Sequence, residues 1–401
     1  MNKLVLLFLV ATCSLYAGGF RIPETSTNAV ALGAANIAHN QSADAAYYNP
    51  ANMVFMDDKN FLEADLTYIG LKAVNFKGSS SGLTGRDINA ESESFLIPSI
   101  HYVSGKRGEA RVGLSITAPG GLSKRWNTAP GIYSAKEFTL EVIEVNPSIA
   151  IPLSDKLAIA FGFRMVYSEG IIKSSASISR DMEADSMDYG YNLALSYKPT
   201  SELEMALTYR SKVDLTEEGN AKLYSDAGIT LVYNGAASVT VPLPAIASAA
   251  IAYTFETKTT LELVYERNMW SAYKTLDFEF PISIGGMKTT FDDPKAKNWK
   301  DSTAIRIGLT QELEKVTLMA GLVFDESPAP DSTLGYELPD SDSVSVSLGG
   351  RYQINENLDI ALAGLYSFRD ERTVSQGGTK IIGTFSHADV YLISAGVGYK
   401  F

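Results

Sequence analysis

The chain ends on the stretch YLISAGVGYKF (Tyr391–Phe401), in which apolar or aromatic residues alternate with small or polar ones. Every second residue from Tyr391 belongs to the apolar set, whereas Ser394, Lys400 and two glycines lie between them. A period of two is typical of a β-strand whose two faces meet different surroundings. One such strand occurs in soluble β-sandwiches as well as in membrane β-barrels. The two folds can be distinguished only if the alternation is repeated along the chain.

The same alternation recurs throughout the chain, with clear examples at 157–168, 202–210, 261–266 and 358–369. One face of these segments is apolar, and the other carries charges of both signs beside glycine and alanine. This pattern is typical of a barrel wall with lipid outside and a polar lumen inside.

About fourteen such segments can be counted, at roughly 60–72, 93–103, 109–118, 138–152, 156–173, 189–198, 202–218, 237–254, 258–280, 297–311, 315–326, 341–353, 357–370 and 387–401. Short turns alternate with long loops, 174–188 and 219–236 among them, and both chain ends fall on the short side. Outer-membrane barrels sort their connections in this way, and an even strand count leaves no unpaired edge in lipid. We therefore predict an all-β fold, a 14-stranded antiparallel transmembrane β-barrel over residues 60–401, in the bacterial outer membrane.

The first residues have the features of a secretory signal peptide. Lys3 precedes a short apolar run, 4–11, and Ala17 supplies a small residue at a cleavage position. We predict a signal peptide over residues 1–17; lipoprotein processing at Cys13 is the alternative. After residue 17 no apolar stretch approaches the roughly 18 residues that a membrane helix needs.

Residues 18–59 differ in composition from the strand segments that follow. The run 28–38 is rich in alanine, glycine and asparagine and has too few large apolar residues to form its own core. A lumen enclosed by fourteen strands is wider than the lumen that wall side chains fill by themselves in eight-stranded barrels. We predict that 18–59 is a hatch that plugs this lumen. At its end, Asn49-Pro50-Ala51 indicates a turn, although an ordinary turn before the first strand explains the triplet as well.

Composition argues against several classes of function. The net charge of −12 disfavours a nucleic-acid partner, which would need a basic surface. The three histidines, His39, His101 and His387, stand in no Ser/His/acid pattern, and no metal-ligand spacing occurs. We expect no enzyme, no cofactor and no metal site. A general diffusion porin remains an alternative, although it would have no use for an inserted hatch.

Several motifs together resemble the FadL/TodX (OMPP1) family of outer-membrane transporters for long-chain fatty acids and aromatic hydrocarbons. The resemblance is carried by Gly18-Gly19-Phe20, Asn49-Pro50-Ala51, 115–122, Asn146-Pro147-Ser148, Trp299-Lys300-Asp301, 324–331 and 339–342. It implies passive uptake of such hydrophobic molecules through a hatch-gated barrel, with a lateral exit at a kink in the third strand. An aromatic hydrocarbon remains the alternative cargo.

The resemblance also implies roles for particular residues. Gating would fall to the hatch residues Gly18, Gly19, Phe20, Asn49, Pro50 and Ala51, and the lateral opening to Ala118, Pro119, Gly120 and Gly121. Proline cannot donate to a strand ladder and glycine favours bends, which agrees with a kink there; alternatively, these residues simply end the strand.

By position along the family pattern, Lys173, Lys295 and Lys297 are candidates to bind a carboxylate headgroup, although solvated loop lysines would look the same. The loop predicted at 174–188 is short in comparison with the third outer loop of the fatty-acid members of the family, so the resemblance does not extend to a surface groove formed by that loop. As partners we expect a hydrophobic small molecule, outer-membrane lipid and lipopolysaccharide, and the barrel-assembly machinery through the terminal Phe401.

Overall fold

The computed structural model describes residues 18–79, 86–225, 228–281, 284, 291–375 and 381–401. The predicted signal peptide, 1–17, lies outside this part of the chain. No helix in the described part is long and apolar enough to cross a membrane.

The described chain is mostly β-strand. In chain order, β1–β8 are Phe61–Leu71, Asn75–Gly78, Asp87–Asn89, Glu93–Val103, Arg111–Thr117, Gly121–Lys124, Glu137–Ser154 and Leu157–Ser174. Strands β9–β16 are Ser179–Tyr197, Leu203–Arg210, Val213–Ser225, Thr230–Leu243, Ala245–Thr254, Thr259–Met269, Thr275–Leu276 and Phe278–Glu279. Strands β17–β24 are Lys295–Ala296, Ser302–Glu312, Val316–Asp325, Ser343–Gln353, Leu358–Arg369, Arg372–Val374, Gly383–Ser386 and Val390–Lys400. The helices are α1 (Thr27–Leu32), α2 (Ala45–Tyr48) and α3 (Ile132–Ala135), with 3-10 turns at Pro50–Phe55, Trp270–Ala272 and Asp331–Thr333.

Eighteen of these strand pieces form one antiparallel sheet that closes on itself. Closure is made by β1, which pairs with β24 on one side and with β4 on the other. Four wall strands consist of two pieces each, namely β5 with β6, β10 with β11, β12 with β13 and β14 with β16, so the wall has fourteen strands. The predicted 14-stranded antiparallel barrel is confirmed.

The two faces of the wall have the chemistry that the alternation predicted. On β24, Ile393 is 54% exposed whereas its neighbour Ser394 is fully buried. Leu348 on β20 is 71% exposed, and Glu63 and Arg306 are buried in the interior. Apolar side chains therefore face outward and charged ones face the lumen, the arrangement that a hydrocarbon surrounding requires.

Two of the predicted long loops are in fact continuations of strands. Strand β8 runs to Ser174 and β9 begins at Ser179, while β11 and β12 extend through most of 219–236. The prediction failed there because the outward residues, such as Glu183, are charged rather than apolar. We interpret these hairpins as extending past the hydrocarbon layer into water, so their outward face loses its apolar signal while inward residues such as Met182 stay buried.

Residues 18–59 pack inside the wall. Val30 and Leu32 of α1 contact Met319 and other inward residues of β19, β21 and β24. A few residues later, Ile37 packs on the opposite group of strands, against Val264 of β14 and alanines of β10 and β13. The segment therefore lies across the lumen, and its small residues let its backbone approach the wall closely.

A small four-stranded sheet, β2, β3, β22 and β23, lies among the long connections. Phe76 and Phe385 from this sheet pack against Tyr336, and the indole N–H of Trp126 donates to the Tyr336 carbonyl oxygen at 2.9 Å. This aromatic cluster fixes the outer connections relative to one another.

Candidate functional site: a cavity above the hatch beside an opening in the wall

A cavity of 470 Å³ lies between the start of residues 18–59 and the wall, a size usual for small-molecule sites. Its lining is predominantly apolar. It includes 18–24, Ile69, Leu71, 95–98, 116–118, 120–124, Leu140, Val142, Val323, Leu338, Leu365, Val390 and Leu392. The predicted gating residues 18–20 and most of the predicted kink therefore border one space.

The wall is incomplete next to this cavity. Strand β4 pairs with β1 along all of 93–103, but with β5 only from Ile100↔Ile116 to Val103↔Gly113. After Thr117 the chain leaves the ladder, and β6 pairs only with β7. The third wall strand is thus interrupted at the predicted residues rather than ended, and 93–99 have no ladder partner on this side among the described residues.

The start of the hatch segment closes this opening from inside. The Ile22 N–H donates to the Pro119 carbonyl oxygen at 3.0 Å, and the Gly121 N–H donates to the Phe20 carbonyl oxygen at 2.9 Å. Residues 20–22 therefore take the place of a ladder partner for the interrupted strand.

Phe20 is buried among aromatic side chains. Its ring centroid lies 4.7 Å from that of Trp270 and 6.0 Å from that of Trp299, in edge and tilted contacts. Gly19 precedes it with φ +72°, and a Cβ there would lie 2.8 Å from the Trp270 ring. Glycine is required at this position both for the left-handed backbone and for the close approach.

Buried charges hold the first hatch residues to the wall. Arg21 pairs with Glu266 and donates to Asn268 Oδ1 at 2.9 Å. Arg306 contacts Glu266 at 3.1 Å and Glu24 at 3.4 Å. Burial raises the pKa of Glu24 above its usual range, although the two arginines oppose this.

The triplet Asn49-Pro50-Ala51 joins the last part of the hatch to its middle. Asn49 Nδ2 donates to the Ile37 carbonyl oxygen and to Ser196 Oγ, both at 2.8 Å. Asn49 Oδ1 accepts the Ala51 N–H at 3.2 Å, and Pro50 begins the 3-10 turn. The triplet therefore does more than end a turn, since it also ties the hatch to β9.

The middle of the hatch is held by a carboxylate. Glu262 accepts the backbone N–H groups of Ile37 and Ala38, each at 2.7 Å, and of His39 at 3.1 Å. The His39 ring contacts Glu204 at 2.7 Å. Burial lowers the pKa of His39, but the hydrogen bond and charge of Glu204 outweigh it, so the net shift is upward. The alternation at 261–266 places Glu262 on the lumen face but does not identify its partners.

The motif at 324–331 and 339–342 is held in place by two arginines. Arg372 donates to Asp331, to Ser327 Oγ and to the carbonyl oxygens of Ala329 and Asp340. Arg369 donates to Asp340 Oδ1 at 3.0 Å. Burial raises the pKa of Asp340 despite these cations. The acidic residues of this motif shape an outer loop beside the cavity.

None of the three predicted headgroup lysines lines the cavity. Lys173 lies 3.4 Å from Glu137, Lys297 pairs with Glu337, and Lys295 lies in the short outer strand β17. Lys72 and Lys124 line the cavity instead; Lys72 pairs with Asp389 at 3.2 Å, whereas Lys124 of β6 is 6% exposed. Within the described part of the chain, the amine of Lys124 has no hydrogen-bond or ion-pair partner, although the charge of Glu93 acts on it from a greater distance.

A closed fourteen-stranded wall with an apolar outer face, a plugged lumen and an apolar cavity beside a wall opening defines an outer-membrane transporter. The family described as outer membrane protein transport protein (OMPP1/FadL/TodX) matches residues 8–401, and the chain belongs to this family. The predicted family and the outer-membrane location are thereby confirmed.

Two relatives align with this chain along almost its whole length. The long-chain fatty acid transport protein of Escherichia coli O6:H1 is 24% identical over 435 residues, covering 96% of this chain and 95% of that protein. Outer membrane protein P1 of Haemophilus influenzae is 22% identical over 459 residues, covering 96% and 97%.

Solved structures show the same fold. A FadL homologue from Pseudomonas aeruginosa superposes with a TM-score of 0.84 at 18% identity, covering 95% of this chain and 99% of that one. The toluene transporter TbuX from Ralstonia pickettii gives 0.72 at 18% identity, covering 94% and 98%.

Proposed function

We propose that this protein carries hydrophobic small molecules passively across the outer membrane, and that cargo leaves the cavity sideways through the opening between β4 and the interrupted third strand. The observation that carries the proposal is the apolar cavity bordered directly by that opening. The chain performs no catalytic step in this account, and consumption of the cargo inside the cell supplies the gradient.

Physical chemistry favours a lateral route over an axial one. Cargo gains roughly 0.8 kcal/mol per buried CH2, so a path from an apolar cavity into lipid avoids returning it to water. An axial path would have to break the contacts of the hatch with Glu262, Ser196 and Glu266 of the wall. Each of these buried polar contacts would lose its partner on displacement, at a cost of about 1–3 kcal/mol.

The kink itself provides the test. In the triple variant Pro119→Thr, Gly120→Val, Gly121→Thr, the third strand should regain a continuous ladder, and uptake of labelled cargo should fall to the level of cells without the protein. Gly364→Val on β21 is the matched control, because an added Cβ there meets nothing closer than 3.8 Å. Full uptake by a folded triple variant would eliminate the lateral exit.

Lys124 favours a cargo with an anionic headgroup among the family's substrate classes. Relatives are named for long-chain fatty acids and for toluene. A buried ammonium group that lines an apolar cavity without a partner would bind a carboxylate, whereas an arene would leave it unpaired. Lys173 and Lys297 already have carboxylate partners, so Lys124 is the better candidate for this role.

The substitution Lys124→Gln tests this assignment. We expect fatty-acid affinity to fall about tenfold or more, since a hydrogen bond between charged groups contributes roughly 1.5–3 kcal/mol, while toluene affinity stays unchanged. Lys173→Gln, on the outer surface, should leave both affinities as they are. Equal binding of a fatty acid by wild type and Lys124→Gln would show that the headgroup is held elsewhere.

We propose that the remaining partners act at the periphery. Outer-membrane lipid and lipopolysaccharide would surround the apolar wall, and the barrel-assembly machinery would recognise the strand that ends at Phe401. The Phe401 N–H donates to the Asn60 carbonyl oxygen at 3.0 Å, so this end is already part of the finished wall.

A further inference from the structure

The two ends of the wall opening are closed in different ways. At one end β4 and β5 form a ladder from Ile100↔Ile116 onward, whereas at the other end side chains join the two sides. Glu93 begins β4, and the guanidinium group of Arg125, which directly follows β6, lies 2.5 Å from its carboxylate. The Ser123 hydroxyl donates to the same oxygen of Glu93. An ion pair and a hydrogen bond therefore close this end of the opening.

Arg125 is fixed between two strands. Its Nη1 donates to Glu93 Oε2 of β4, while its Nε and Nη2 donate to Glu137 Oε1 of β7 at 3.3 and 2.7 Å. The Glu91 N–H donates to the Arg125 carbonyl oxygen at 2.8 Å, so the backbone is held as well. A planar guanidinium group with five donors can serve both carboxylates at once.

Only one oxygen of the Glu93 carboxylate has partners. Oε2 accepts from Ser123 and Arg125, whereas Oε1 is buried and has no donor among the residues that the structure describes. The Glu93 side chain is 5% exposed. A buried carboxylate oxygen without a donor is costly, and native proteins rarely leave one so. Glu93 would therefore accept a further cation if one came within reach.

Lys124 is the cation next to it. Lys124 directly follows Ser123, and both residues line the cavity. Glu93 is the anion whose charge acts on the Lys124 amine, yet the two groups form no ion pair. Direct pairing would supply the missing partner of each buried group. It would also occupy the ammonium group that an anionic headgroup needs.

We propose that Arg125 is a positioning residue for cargo recognition: by holding Glu93 at the edge of the opening, it keeps the Lys124 ammonium group available for the anionic headgroup of the cargo. The inference rests on the proposed function, in which Lys124 binds that headgroup. Without Arg125, the Glu93 carboxylate turns to Lys124, and each arriving headgroup has to displace it.

Equilibrium binding of radiolabelled palmitate to the purified protein in detergent tests the proposal. We expect Arg125→Gln to lower palmitate affinity by about tenfold, close to the loss in Lys124→Gln, and to leave toluene affinity unchanged. Arg267→Gln is the matched control, because Arg267 is similarly exposed, lies 3.7 Å from Asp301 and does not line the cavity. It should bind palmitate like wild type.

A double variant separates positioning from a merely structural effect. In Glu93→Gln/Arg125→Gln the competing carboxylate is gone, so palmitate affinity should return to within about twofold of wild type. Arg125→Lys keeps a cation beside Glu93 and should retain most of the affinity. Damage to the shape of the opening would persist in the double variant, since that protein lacks the same guanidinium group.

Ser123→Ala keeps the test decisive if Arg125→Gln does not fold. This change removes the other donor to Glu93 and should lower palmitate affinity by about threefold, whereas Glu93→Gln/Ser123→Ala should show no such loss. Wild-type affinity in a folded Arg125→Gln protein, or a loss that persists when Glu93 is also replaced, would overturn the proposal.

The outcomes also separate this inference from the proposed function. Loss of palmitate affinity in Lys124→Gln with full affinity in Arg125→Gln would remove the positioning role and leave Lys124 as the headgroup site. Full affinity in Lys124→Gln would remove the headgroup site itself, and the role of Arg125 with it.

Discussion

Glu262 illustrates how a single lumen residue holds a plug that has almost no core of its own. Its carboxylate accepts three successive backbone N–H groups of the hatch, at 37–39, and is itself 3% exposed. Charge-assisted hydrogen bonds of this kind are about twice as strong as neutral ones. His39 adds a second contact through Glu204, which Lys198 also approaches at 2.6 Å.

His39 makes the attachment of the hatch sensitive to pH. Because its pKa is raised in the folded protein, its contribution to stability is complete below the ordinary histidine pKa of about 6.5 and is lost as pH rises through the raised value. We expect the melting temperature in detergent to fall between pH 6 and pH 9, and His39→Gln to remove most of this fall. The hydrogen bond to Glu204 contributes about 1.5–3 kcal/mol, and burial of the His39 ring offsets part of it.

His387→Gln is the control, since His387 lies on the connection between β23 and β24 and its ring contacts Ser386 rather than a carboxylate. It should keep the wild-type dependence on pH. A His39→Gln protein that melts with unchanged pH dependence would show that this ion pair does not stabilise the hatch.

At the scale of the strand, depth in the membrane decides which substitutions matter. Leu348 lies in the middle of β20 with its side chain outward, and Leu62 lies outward at the N-terminal end of β1. Both residues are leucines with outward side chains, and they differ in their distance from the hydrocarbon midplane.

We predict that Leu348→Arg lowers the free energy of unfolding in lipid vesicles by about 2–4 kcal/mol, and that Leu62→Arg lowers it by about 0–1 kcal/mol. Denaturant unfolding followed by tryptophan fluorescence measures both. A wall surrounded by water would tolerate the two arginines equally, so equal values would contradict the assignment of this face to lipid.

At the scale of the whole molecule, stability depends on closing the wall. Pairing of Phe61↔Lys400 through Leu71↔Val390 leaves the first and last wall strands without a free edge. Inside a bilayer, each unpaired backbone group would cost several kcal/mol, so an open sheet of the same strands could not persist there.

Two truncations distinguish the effect of closing the wall from the effect of recognition of the C terminus by the assembly machinery. Removal of residues 390–401 deletes β24 and should abolish the folded barrel both in cells and in refolding with detergent, read as loss of heat-dependent gel mobility. Removal of Phe401 alone keeps the β1–β24 ladder and should refold in detergent, while its amount in the outer membrane falls severalfold. Normal membrane levels of the shorter deletion would argue against a role for Phe401 in assembly.

The sequence by itself determined the strand type, the strand number, the outward face and the presence of a plug, because a period of two and a shift in composition are local properties. It misplaced the ends of the hairpins at 174–188 and 219–236, since the apolar half of the alternation disappears where a strand leaves the hydrocarbon. It also selected Lys173, Lys295 and Lys297 as headgroup candidates, none of which lines the cavity, and gave no reason to select Lys124, which does.

Only the tertiary structure decided which lumen charges meet. Arg21 pairs with Glu266 across 245 positions, and Gly18 lies beside Asp325 on a distant strand. The alternation of apolar and polar residues shows that a charged side chain faces the lumen, but it does not identify the residue that this side chain contacts. The register of fourteen strands and the path of the hatch settle that, because an ion pair depends on distances in space that no local pattern encodes.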